Sequence, residues 1–157
     1  MSTPPPDDER TDQAESPPDP VFVEISPTIA DLVRDGLRSQ IANAAQLIVN
    51  ANDLTDARQN PDRYREPLRH IDALQALMNE LGWEASSENA AVDLSRHEWA
   101  LTCALRDEIS VLPSLIRENW EETEFRETTE AQLRELIPFT LTVLLELLAN
   151  RARTVTA

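Results

Sequence analysis

Lysine is absent from the 157 residues: 14 Arg and two His stand against 29 Asp and Glu, for a formal net charge of −15. Without lysine there is no Schiff-base enzyme, no lysine general base and no phosphate-loop NTPase of the usual kind. Glycine is nearly absent too, and Gly36 and Gly82 are too few for a Gly-rich phosphate cradle. The single cysteine, Cys103, supports neither an internal disulfide nor a multi-thiolate zinc site. A chain this acidic lacks the basic footprint that nucleic acid or an anionic membrane requires. Its first twenty residues have neither the basic start nor the apolar stretch of a secretory signal. The longest apolar run, Phe139 to Ala149, is interrupted by Thr140, Thr142 and Glu146 and is too short to cross a bilayer. The expectation is a cytoplasmic protein with no membrane or nucleic-acid contact, and the lone thiol suits a reducing compartment. Arginine used to the exclusion of lysine is also what a G+C-rich bacterial genome produces.

What remains is ample for a core, with 41% hydrophobic residues. Residues 1–20 are the exception: six Pro, six acids and one Arg give them little to bury. They read as a disordered acidic tail, leaving 21–157 as one domain. Within it, Ser26-Pro27 is a cap-plus-proline start for a first helix over 27–52. Its apolar face is Ile29, Val33, Leu37, Ala44, Leu47, Ile48 and Ala51, and Asp31, Arg34, Asp35 and Arg38 lie opposite. Asn60-Pro61 opens a second helix over 61–81, with a stripe of Tyr64, Ile71, Leu74, Met78 and Leu81 and a stop at Gly82. A polar loop, 82–94, follows. Ser95 and Glu98 form a capping box for a third helix over 95–120. Thr129 to Gln132 starts a fourth, which ends near Arg151 and Arg153, cations suited to a helix C-terminus. The fold expected is all-α, an antiparallel four-helix bundle carrying a disordered, Pro-rich N-terminal tail.

The fourth helix is too apolar for one stripe. Leu133, Ile137, Leu141, Leu144 and Leu148 make a first seam, and Leu136, Phe139, Val143 and Leu147 a second. Together they cover an arc of about 240°, leaving Glu135, Thr142 and Glu146 as a narrow polar strip. Either this helix is covered on both sides, or the second seam meets a partner, with a homodimer favoured. Leu136, Phe139, Val143 and Leu147 are therefore the candidate partner-binding residues. Trp99 joins them, because it projects opposite the third helix's stripe, beside Cys103 and Arg106. The competing reading has the 82–94 loop and Trp83 folding over Trp99. The short β-prone stretch 21–25 has no sheet edge to join in an all-helical domain. It either lies across the bundle with Phe22 in a groove or serves as a linear motif for a partner.

Catalytic constellations are not found. His70 and His97, with Cys103, supply too few ligands for a zinc or di-iron centre, and no metal or cofactor is expected. Cys103 and His97 project about 120° apart on one helix, so they form no nucleophile–base pair. The acids from Glu118 to Glu130 resemble a solvated run broken by Arg117 and Arg126. The expected function is a non-enzymatic interaction or regulatory module that self-associates through the fourth helix. Two other readings stand beside it. One is a bundle that binds a small apolar ligand where Pro113 and Pro138 widen the interior near Phe139. The other is an acidic inhibitor of a nucleic-acid-binding protein.

Overall fold

The structure, a computed structural model, describes residues 20–50 and 58–156, with side chains described for 20–49 and 58–150. Residues 1–19 of the expected tail, Ala51, and the side chains of Arg151 and Arg153 lie outside the described residues. In chain order the elements are β1 (Phe22–Ile25), α1 (Pro27–Asn50), α2 (Asp62–Leu81), β2 (Ala90–Asp93), α3 (Leu94–Glu118) and α4 (Thr123–Thr156). The fold is all-α: among the described residues there are four long helices and one two-stranded sheet.

That sheet overturns the expectation for residues 21–25. β1 pairs antiparallel with β2, Phe22 opposite Asp93 and Ile25 opposite Ala90, so the 82–94 loop supplies the missing edge. Strand alternation then decides the side chains: Val23 and Ile25 point into the core, and Phe22 is exposed rather than lodged in a groove. The ladder ends where the Leu94 amide donates to the Val21 carbonyl, at the first residue of α3.

Side-chain caps account for the starts of α1 and α3, whereas Pro61 precedes α2 with no side-chain cap bond. The Ser26 hydroxyl accepts from the Ile29 amide, as expected of an N-cap, and itself donates to Glu135 of α4 at 2.6 Å. α3 begins earlier than the capping box suggests. Asp93 is the cap, accepting from the amide and the hydroxyl of Ser95. Burial pushes the Asp93 carboxyl up, but these bonds, the Val21 amide and nearby His97 together hold it below its ordinary value. α4 starts six residues before Thr129. Thr128 and Thr129 do not cap; their hydroxyls donate to the carbonyls of Glu124 and Phe125 one turn back. α2 stops at Gly82, whose φ of 84° lies in the region that favours glycine.

The core lies where α1 and α3 meet, with α2 closing one side and the small sheet one end. Gly36 makes that meeting close, since a Cβ there would stand 2.6 Å from the Ala104 carbonyl oxygen. The charged face assigned to α1 is likewise not all solvent. Arg34 is buried, donating to the carbonyls of Leu81 and Gly82 at 3.0 and 2.7 Å and pairing with Asp31 at 2.8 Å. Arg38 reaches the Trp83 carbonyl at 2.7 Å. Two α1 guanidiniums therefore satisfy the orphan carbonyls at the end of α2.

Candidate functional site

α4 packs along α3 and has a much smaller contact with α1, whose capping Ser26 bonds Glu135. One neighbouring helix can cover one seam, and the covered seam is the second. Leu136 and Val143 are buried in the core cluster, with Phe139 and Leu147 packed against it. Those four candidates therefore face the protein's own interior, which corrects their assignment as the partner surface. Two seams about 100° apart are equivalent on a helical wheel, and only the position of α3 distinguishes them. The outward seam is the first: Ile137, Leu141, Leu144 and Leu148 are 45–63% exposed, and Leu145 beside them is 66% exposed. Leu133 alone of that seam packs inward.

Pro113 and Pro138 do not break their helices; the non-helical residue inside α3 is His97, buried and paired with Glu80 of α2. Pro138 is exposed and Pro113 half-buried.

Trp99 sits elsewhere, on the side of α3 that faces α1 and α2. The 82–94 loop does not cover it. His70 of α2 stacks on its indole, ring centroids 4.5 Å apart and planes inclined by 26°. Trp83 instead bonds Asn79 at the end of α2. The cause of the opening beside Trp99 is the path of α1. Up to Leu37 its inward residues are buried against α3, but from Ile41 to Val49 they are half-buried or exposed. A groove of about 350 Å³ lies there, with Gln40, Asn43, Ala44 and Leu47 of α1 on one wall. His70 and Leu74 come from α2, and Trp99, Cys103 and Arg106 from α3. Cys103 is buried in this wall; burial pushes its thiol pKa up against the pull of Arg106, keeping it protonated and weakly nucleophilic.

Glu108 was missed by sequence reasoning. It is buried beneath the α1–α3 contact, and burial, helped by Asp35 and Asp107, pushes its carboxyl up to about 7. The signal was present, because Glu108 falls on the same stripe as Leu101, Leu105 and Leu112. The acidic run sits around the turn between α3 and α4, mostly exposed, with Arg126 stacked on Trp120 at 4.5 Å.

Among the described residues, no group of three or more His, Cys, Asp or Glu is arranged to hold a metal ion. Nor is any described helix long and apolar enough to cross a membrane. No protein-family model, curated protein or solved structure matches the chain.

Proposed function

We propose that this chain is a helical interaction module that self-associates through the outward seam of α4. The observation that carries the reading is that seam, Ile137, Leu141, Leu144 and Leu148, left exposed on a helix already packed on its other side. Its spacing of four, three and four residues is the one that lets helices interlock side chains as knobs into holes. A second copy is the partner that suits the charge. In a chain of net −15, two like molecules meet most easily where ionisable groups are sparse, and residues 137–148 contain one, Glu146.

Four aliphatic side chains bury less than the roughly 800 Å² per partner of a standard interface. The dimer is therefore expected to dissociate on dilution, with Kd on the order of micromolar. Light scattering of the full chain across a dilution series checks this. Leu141→Glu with Leu144→Glu is expected to give a monomer that keeps wild-type helicity and, at dilutions where the wild type is itself dissociated, its thermal midpoint. If the wild type is already monomeric at the highest concentration, or the double variant still dimerises, self-association through α4 is wrong.

A further inference from the structure

The groove between α1, α2 and α3 offers chemistry that the α4 seam does not use, and its reading stands apart from that seam. Its α3 wall presents Trp99, Cys103 and Arg106 at spacings of four and three residues, which puts all three on one face. Seven residues of helix rise place the backbone positions of Trp99 and Arg106 about 10 Å apart along the axis. One end is aromatic, with Trp99 braced by His70 and still 43% exposed. The middle is apolar and neutral, lined by Leu47, Leu74 and the protonated thiol. The other end is cationic: among the described residues Arg106 has no ion pair, in a chain where acids outnumber arginines two to one. The facing wall of α1, from Ser39 to Val49, contains no ionisable side chain to repel an anion.

The geometry points to a binding site for a small aromatic carboxylate about 10 Å long, its ring against Trp99 and its carboxylate on Arg106. The groove falls within the about 300–1,000 Å³ of small-molecule sites. A planar ring gains from stacking on the indole, and a guanidinium binds carboxylate through charge-assisted hydrogen bonds. Gln40 is already engaged by Asp107, at 3.3 Å, which among the described residues leaves Asn43 as the uncommitted amide on the opposite wall.

The probes are 4-phenylbutyrate, which has this length and charge, and its neutral analogue 4-phenyl-1-butanol. Binding to the full-length protein is followed by the indole N–H resonance of Trp99, in a Trp83→Phe, Trp120→Phe background where that signal is unique. The acid is expected to shift the resonance saturably and to bind about tenfold more tightly than the alcohol, as one charge-assisted contact allows. Arg106→Gln is expected to abolish that preference and leave the weak binding of the alcohol. Equal affinity for acid and alcohol, a preference that survives Arg106→Gln, or no saturable shift at Trp99 overturns the proposal.

Discussion

α3 and α4 are both long helices with an internal proline and ample apolar surface, yet the fold treats them differently. α3 has α1, α2 and α4 as neighbours, and its stripe of Leu101, Leu105 and Leu112 is buried among them. α4 has α3 and little else, so half of an equally greasy circumference is left outside. Apolar breadth therefore measures how many faces a helix could bury. The number it does bury is set by topology, and the excess is what another molecule can use.

The sharpest way to break this comparison is along α4 itself, at adjacent positions. Leu136→Ala is expected to destabilise the monomer by about 2–5 kcal/mol, as for other buried Leu truncations. Ile137→Ala, next to it on the exposed seam, should change monomer stability by less than about 0.5 kcal/mol. Urea denaturation at dimer-dissociating dilution separates the two, and equal losses would show that both seams are interior.

Within α3, Glu108 tests how complete its enclosure is. The folded protein holds a proton there that the unfolded chain releases above its ordinary value of 4.5. This group's contribution is thus full below about pH 4.5 and falls as pH rises toward 7, by about 3 kcal/mol in all. Glu108→Gln should match the wild type near the acid limit and exceed it above pH 7. Denaturant midpoints of the two proteins across that range give the difference, and parallel curves would mean that Glu108 is solvated.

A smaller effect is expected at the α1–α2 contact. Arg34→Met leaves the carbonyls of Leu81 and Gly82 without their donors, a loss of about 1–3 kcal/mol. A thermal midpoint equal to wild type would show that water replaces the guanidinium.

Much of the fold was legible because it follows from local rules. Ser26 with Pro27, the stop at Gly82, and the stripe of Leu74, Met78 and Leu81 all act within one or two helical turns. The failures share a cause, which is partners far away in the chain. β1 looked orphaned because its mate lies far along the chain, as Phe22 pairs with Asp93, 71 residues on. Arg34 looked solvated because the carbonyls it binds are 47 and 48 residues away. Trp99 was read against the 82–94 loop, whereas the ring stacked on it is His70 of another helix. On α4 the breadth of the apolar arc was visible, and the choice between its seams was not.

The arrangement at Arg34 and Arg38 bears on motion as well as on stability. The acceptors belong to the end of α2 and the donors to the middle of α1. The terminal turn of α2 has its carbonyls satisfied only while α1 is docked, and each opening of α1 frees that turn to fray. Slow amide exchange in the two helices should therefore rise and fall together, as one cooperative unit.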